Sequence, residues 1–522
     1  MTSENQNYME MALRESVFSI GLSRPNPAVG AVVVKDGIVV GKGRTQRPGS
    51  AHAEVMALRD AGELARGAAI YVTLEPCCHY GRTPPCTKAI IDAGIAKVFY
   101  AHGDPNPVVR GNSRKILEEA GIEVYEGVDA CIAAEIEDGW DDDNCGGECH
   151  FLSRHPRADS ACHPRDLSAC HPREGGDLAS SACHPSDPSC VILSEVKNLA
   201  SPSKTAVAEG RMVFHDIERY FEAYDYFVRN KRTFVEIKSA ITDEGSMGYV
   251  LPDGSHKPMK ITGEGANCWN HELRAISDAI LVGAGTVLAD NPSLNVRNAA
   301  GNDPVKIVWA GHHEFSAEEV ARLKVFAPYN PETISTSHPR LDRGSSDFIS
   351  EKKTLVFSCV PQPQCHSRDL QSQCHSRDSQ PQCHSRDSQP QCHSRESENL
   401  AFSSCEVVLL SGTSFAENWT MMIDDLSARG MHRLMVEPGA GLAKQLFAAV
   451  PADAIATSAQ KPLWNRLDLW RSTDHTIEDA LASFIDEGSV AKTLDFPAIP
   501  EKLIAKESFM TGHDVLTVYY PV

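Results

Sequence analysis

Along the N-terminal part of the chain, short apolar runs of strand length alternate with segments of helical period, and few architectures other than layered α/β accept that order. YMEMALRESVFSIG places Met9, Leu13, Val17 and Ile20 on one helical face, and AVVVKDGIVVGKG reads as a hairpin turning at Asp36-Gly37. AHAEVMALRDAG follows as a helix, AIYVTLE as a strand, CTKAIIDAGI as a helix, KVFYAH as a strand, and SRKILEEAG with IEVYEGV as a last helix and strand. The pattern predicts an α/β sandwich ending near Glu137. A second α/β region begins near Met212, with FVEIKSAIT, DAILVGAGTVL, VKIVWAG, TLVFSCV, EVVLLS and HRLMVEPGAGLAKQLF as successive strands or strand-to-helix units.

Two low-complexity inserts interrupt this pattern. A nine-residue unit recurs from Cys365 in CHSRDLQSQCHSRDSQPQCHSRDSQPQCHSRESENL, and a looser relative runs from Ala161 to Cys190. Eight of the 17 cysteines lie in these two stretches, so repetition alone accounts for nearly half of them. Ser/Pro-rich polar sequence buries too little apolar area to offset an ordering cost of roughly 1–2 kcal/mol per residue, and both inserts are expected to be disordered. A metal-binding Cys-His array is the competing reading, although adjacent side chains leave each pair without the spaced second pair of a closed zinc site. The later insert falls between TLVFSCV and EVVLLS, where a surface loop accepts added length at small closure cost. The expected division is therefore 1–145, a linker with its insert over 146–211, and 212–522 interrupted at about 361–400.

A formal charge of -20 provides no long-range attraction for a polyanion, which argues against nucleic acid and for a small-molecule substrate. The N-terminal MTSENQNYMEMALRES lacks a signal peptide's basic flank and apolar run, and no later segment is long and apolar enough to span a membrane. A cytoplasmic chain without a membrane partner is expected, with homo-oligomerisation left open.

The densest chemistry lies in two short stretches. AHAEV carries His52 and Glu54, and EPCCHYGRTPPC carries Cys77 and Cys86. One imidazole and two thiolates leave a fourth position on zinc for water, the catalytic arrangement. His52 and Glu54 are expected in the first turn of one helix. Cys86 should open the next, where the helix dipole favours a thiolate, and Cys77 follows the strand AIYVTLE. Glu54 cannot easily share the metal face of His52 but can reach a water beside it, as a proton carrier; an exposed first-turn glutamate interacting with the helix dipole is the plainer alternative. Cys78 is expected to point away as a small buried side chain. A structural zinc would need a fourth ligand such as His79 or Cys78.

NPAVG at Asn26, HAEVMAL at His52, TLEPCCHYGRTPPC at Thr73 and DPNPVVRG at Asp104 resemble the deaminase half of the bifunctional riboflavin-biosynthesis deaminase/reductases, over nearly all of residues 8–130. Eight residues separate Cys77 from Cys86, where tRNA and cytidine deaminases commonly have two, and GRTPP in that loop is typical of the riboflavin family. Ser113 departs from the family's glycine. The resemblance implies a cytidine-deaminase-like three-layer α/β/α domain and a phosphorylated diaminopyrimidinone substrate. Arg82 and Thr83 are candidate phosphate contacts, against a merely solvated loop arginine. Asn26 is a candidate reader of the pyrimidine edge, or else it shapes the Asn-Pro turn.

ELRAISDAILVGAGTVLADNPSLNVR and VEPGAGLAKQLF resemble the reductase half, which implies a dihydrofolate-reductase-like α/β domain using NADPH. By that resemblance Arg274, Leu294, Arg297 and Glu437 meet substrate, and Ala240, Thr286, Asp290, Gly439 and Gly441 meet the dinucleotide. Arg274 and Arg297 as plain ion-pair partners is the alternative. Thr242-Asp243-Glu244-Gly245, Lys260-Ile261-Thr262 and Ala310-Gly311 depart from the family's residues, so a chain active only as a deaminase is the nearest alternative, ahead of a nucleic-acid deaminase.

Overall fold

The computed structural model describes residues 3–128, 217–250, 260–327, 354–360, 367–369, 405–448, 463–473, 492–499, 503–511 and 513–521. In the first unit, α1 (Ser3–Val17), α2 (Ala53–Ala61), α3 (Cys86–Asp92) and α4 (Asn112–Glu119) accompany a five-stranded sheet. Its strands are β1 (Gly30–Lys35), β2 (Ile38–Arg44), β3 (Ala69–Leu74), β4 (Lys97–His102) and β5 (Glu123–Glu126), in spatial order β2-β1-β3-β4-β5. β1 is antiparallel to β2 and β3, and β3, β4 and β5 are parallel. The hairpin turns where expected, with Asp36 and Gly37 at φ 49° and 78°, the left-handed pair that suits a two-residue connection.

β2 lies almost backbone to backbone on α2: a Cβ at Gly43 would stand 2.3 Å from the Ala53 carbonyl oxygen, and one at Gly41 2.3 Å from that of Ala57. Glycine at these positions fixes how deep the N-terminus of α2 sits against the sheet.

The second unit opens with α5 (Ile217–Asn230), a helix the sequence reading did not separate from its surroundings. It continues through β6 (Phe234–Ile241), β7 (Ser246–Val250), α6 (Glu264–Ala275), β8 (Ala279–Gly283), α7 (Ala284–Asp290), β9 (Val305–Gly311) and α8 (Ala317–Arg322). β10 (Thr354–Ser358), β11 (Ser367–Asp369), β12 (Cys405–Leu409), α9 (Phe415–Ala428), β13 (Arg433–Val436), α10 (Ala440–Ala448) and β14 (Arg466–Ser472) come next. β15 (Lys492–Asp495), β16 (Leu503–Thr511) and β17 (Asp514–Pro521) complete it. Ten strands form one sheet in the order β11-β12-β10-β9-β8-β13-β6-β14-β17-β16, and β15 pairs with β7. The run from β11 to β14 is parallel, and β17 and β16 add antiparallel pairs at the far edge.

Strand parity divides this sheet's side chains between two cores. Ile280, Val282, Val308, Val356, Val407 and Met435 join the cluster that includes Met9, Leu13 and Val17 of α1, while Leu281, Ile307, Phe357, Val408 and Leu434 pack on the other side. A sheet buried on both faces reads as continuous apolar runs, as these strands do. Ala310 is buried in β9.

The expected unit ends at Glu137 and Met212 and the whole of Ala161–Cys190 lie outside the described residues, as does most of Cys365–Leu400. Within the latter, however, Ser367–Asp369 form β11 on the edge of the large sheet, parallel to β12. The unpaired backbone groups of a sheet edge accept any non-proline segment held beside them, whatever its apolar content. The expectation of a wholly disordered insert fails for those residues.

Beneath the large sheet, Arg219 of α5 pairs with Glu236 (3.1 Å) and Asp468, Arg433 pairs with Glu236, and Arg466 pairs with Asp468 (2.8 Å) and Glu222 (2.9 Å). Three guanidinium groups thus meet three carboxylates, and all but Glu222 are almost fully buried.

Candidate active site

The pairing pattern brings three connections to one end of the small sheet. Gly30 pairs with Arg44 and Ala31 with Val72, so the loop before β1, the stretch after β2 and the stretch after β3 all emerge there. The Gly30 N–H donates to Thr73 Oγ1 (3.2 Å) and the Val29 N–H to Thr45 Oγ1 (3.2 Å), tying the three together.

His52 lies just outside the first turn, as the N-cap of α2, and Cys86 opens α3. His52 Nδ1 is 3.5 Å from Cys77 Sγ and 3.3 Å from Cys86 Sγ, and the three ligand atoms lie within 4.8 Å of one another. Tetrahedral zinc with bonds of about 2.0–2.1 Å to nitrogen and 2.3 Å to sulfur separates such atoms by roughly 3.5 Å, so the donor set fits that ion in chemistry and spacing. His52, Cys77 and Cys86 are the metal-type cluster found among the described residues; neither Cys78 nor His79 joins it.

The Cys86 N–H at the start of α3 donates to Cys77 Sγ (3.3 Å), so the helix terminus serves Cys77 rather than Cys86 as expected. Hydrogen bonding from the Cys86 side chain first, and from His52, brings the Cys77 thiol down to about 4. The Cys86 thiol is held high by its partnership with Cys77 and by burial. Glu54 is buried in α2 rather than exposed, and burial, reinforced by the charge on Cys77, pushes its carboxyl up to about 7. Thr83 Oγ1 stands 3.5 Å from His52 Nε2, while Arg82 is exposed in the same loop. Cys78 turns away, its thiol 3.5 Å from the Val108 carbonyl, but it is half-buried rather than buried. Asn26 sits half-buried in the loop before β1.

Glu75 was not singled out from the sequence. Buried just past β3, it accepts the N–H groups of Gly111 (2.9 Å) and Asp104 (3.4 Å) and holds the loop that follows β4 under the cysteines. A carboxylate between strand end and Pro76 in TLEPC was its only local signal. Ser113 donates to the Pro76 carbonyl, so the departure from glycine adds an anchor just before Cys77.

In the second unit Arg274 and Glu437 are 163 residues apart and form a bidentate pair, with both oxygens 2.9 Å from Nη2. Arg274 is therefore an ion-pair partner, but a buried one. Arg274 Nη1 also reaches the Asn295 carbonyl (3.2 Å), and the exposed Arg297 reaches Asn295 Oδ1 (2.5 Å). Burial works against ionisation of Glu437, yet Arg274 and Lys238 outweigh it and hold the carboxyl below its ordinary range. Leu294 is buried in the core at φ 53°, unusual for leucine. A Cβ at Gly439 would stand 2.6 Å from Thr286 Oγ1, so those two expected dinucleotide positions meet; Gly441 has open space around its Cα. Ala240 lies on β6 opposite Trp470, and Asp290 ends α7, exposed. Glu244 lies in the exposed turn between β6 and β7, and Lys260 is exposed ahead of α6. His271, which the sequence reading missed, accepts the Arg297 N–H on Nδ1 (3.1 Å). Lys238 was missed as well: it sits on β6 in the fields of Glu437, Arg274 and Asp514, its pKa lowered by burial.

Fold and site together define a deaminase-like unit with a metal-type centre and a reductase-like unit built on a mostly parallel sheet. Residues 2–102 match the cytidine and deoxycytidylate deaminase zinc-binding region, and residues 248–456 the RibD C-terminal domain. A riboflavin biosynthesis protein RibD from Aquifex aeolicus is 53% identical over 134 residues, 26% of this chain and 38% of that one. Its counterpart from Actinobacillus pleuropneumoniae is 31% identical over 307 residues, 59% and 58% of the two chains. The matched stretch thus spans 38% and 58% of these relatives' lengths. A diaminohydroxyphosphoribosylaminopyrimidine deaminase/5-amino-6-(5-phosphoribosylamino)uracil reductase from Thermotoga maritima superposes at a TM-score of 0.52 with 22% identity, covering 99% of both chains, a likeness of fold. Both units of this chain are thus similar to parts of RibD riboflavin-biosynthesis proteins. No helix among its described residues is long and apolar enough to cross a membrane.

Proposed function

We propose that the chain carries out two successive steps of riboflavin biosynthesis in the cytoplasm. The first is hydrolytic deamination of 2,5-diamino-6-(5-phosphoribosylamino)pyrimidin-4-one in a unit spanning 1–145. The second is NADPH-dependent reduction of the ribosyl side chain to ribityl in a unit spanning 212–522. The supporting observation is the convergence of His52, Cys77 and Cys86 within 4.8 Å, with Glu54 buried on the same helix as the histidine cap. Zinc, when bound by those three side chains, supplies a Lewis acid with an open position, the chemistry that makes water nucleophilic near neutral pH. Glu54 takes one proton of the attacking water and gives it to a ring nitrogen, then passes the remaining hydroxyl proton to the amine, so that the carbonyl forms as the C–N bond breaks and ammonia leaves. Asn26 meets the pyrimidine edge, and Thr83 and Arg82 the phosphate. In the second unit Arg274, Leu294, Arg297 and Glu437 frame the substrate, and Ala240, Thr286, Asp290, Gly439 and Gly441 the dinucleotide.

Glu54→Gln tests the first step. The amide keeps the shape but cannot accept the proton, so zinc content should be unchanged and turnover should fall roughly 100- to 10,000-fold. Near-normal turnover would remove Glu54 from the mechanism. A second reading, deaminase alone, draws on Arg274 and Glu437, which spend their charges on each other. Supplying the deaminated intermediate with NADPH separates the two: cofactor oxidation supports the bifunctional reading, and its absence alongside active deamination supports the second.

A further inference from the structure

His432 belongs to the second unit, on the turn before β13, yet its Nε2 lies 3.1 Å from the carbonyl oxygen of Pro25 in the first. A carbonyl only accepts, so the imidazole carries its hydrogen on Nε2 and donates it. The ring is buried and wedged by Phe227 and Tyr224 of α5, with ring centres 4.7 and 5.4 Å away, so packing sets the donor's direction. On the same turn Gly430 has φ 70°, and a Cβ there would stand 2.9 Å from Pro25 Cβ, so a larger residue would push the two segments apart. Asp278 secures the turn by accepting the N–H groups of His432 (2.8 Å) and Arg433 (3.1 Å), and its other oxygen lies 3.8 Å from Arg24 Nε.

The peptide unit held in this way is the one that joins Pro25 to Asn26. Its loop closes on itself, with the Asn26 N–H donating to the Ser23 carbonyl (2.8 Å) and Ser23 Oγ to the Asn26 carbonyl (3.1 Å). Rotation of the Pro25–Asn26 peptide would therefore carry the Asn26 side chain with it, at the end of the small sheet where the stretches bearing His52 and Cys77 also emerge.

We infer that His432 of the reductase-type unit is a positioning residue for deamination: it fixes the Pro25–Asn26 peptide and thereby aims the Asn26 amide at the pyrimidine. This rests on the reading that Asn26 meets the substrate. The second unit then completes the first unit's substrate site as well as carrying its own.

The test compares wild type, His432→Ala, His432→Gln and Asn26→Ala as full-length zinc-loaded chains, by deamination kinetics, metal content and hydrogen exchange of the loop. Loss of one buried hydrogen bond should raise the deamination KM roughly tenfold in His432→Ala, with kcat and zinc content nearly unchanged and faster exchange at the Asn26 amide. Glutamine places a donor at similar reach and should restore both KM and exchange, and Asn26→Ala should reproduce the KM rise. An unchanged KM in His432→Ala, or a drop in melting temperature that glutamine does not relieve together with unaltered KM, would overturn the inference. Loop exchange needs no turnover, so it decides the His432 contact even if the wild-type chain deaminates nothing, an outcome that refutes the function and not the contact.

Discussion

His271 shows how one side chain can tie stability to pH. Its ring is buried against Arg297 and Arg274, its Nε2 has no hydrogen-bond partner among the described residues, and burial first, then those two cations, lower its pKa to about 3. Unfolded, it would titrate near about 6.5. Between those values the unfolded chain binds a proton that the native chain does not, so His271's contribution is fully present above about 6.5 and is lost as pH falls towards 3. Other groups titrate in the same window, so the measurement is a difference: unfolding free energy against pH for wild type and His271→Gln. The wild type should show the steeper acid-side loss, and parallel curves would show that the histidine is not held neutral.

At the scale of elements, the charged cluster joins α5 to the centre of the large sheet. Glu236 on β6 faces guanidinium groups from α5, β13 and β14, which hold its carboxyl near about 2 against the cost of burial. Neutralising it would leave buried arginine charge uncompensated, a change worth roughly 3–5 kcal/mol. Glu236→Gln should therefore lower the unfolding free energy from denaturant titration sharply, whereas an exposed control such as Glu244→Gln should change it by less than about 0.5 kcal/mol. Equal effects of the two would show that the cluster contributes little. α5 also reaches the small sheet: Phe221 stacks on His102 with ring centres 5.2 Å apart, and Asp225 lies 3.1 Å from His102 Nε2.

Over the whole molecule, the two units share one apolar cluster, in which Met9, Leu13 and Val17 of α1 join Tyr220, Phe221 and Trp269. Ser16 and Tyr220 hydroxyls meet at 2.8 Å, and Asn302 donates to the Phe18 carbonyl at 2.9 Å. Truncation after residue 145 would expose that face of α1 to water, at about 25 cal/mol per Å² of apolar area. The truncated chain is expected to retain metal binding through His52, Cys77 and Cys86 but to melt at a lower temperature and bind a hydrophobic dye. An unchanged melting temperature would make the first unit self-sufficient.

What the chain declared by itself was local. The Asp36-Gly37 turn, the alternation of strand and helix, and the spacing of His52, Glu54, Cys77 and Cys86 depend on neighbours a few residues to a few tens of residues away, where period and turn chemistry set the geometry. Resemblance to known motifs extended that reading to Arg274 and Glu437 as separate positions, without showing that they face each other. Only the tertiary structure put Glu437 on Arg274, Glu75 under the loop after β4, His432 on Pro25 and three buried arginines around Glu236 and Asp468. Such pairs join residues tens to hundreds of positions apart, and which of them meet is decided by strand order and helix packing. A buried charge or donor looks in sequence like any solvated one until the fold removes its water and supplies its partner.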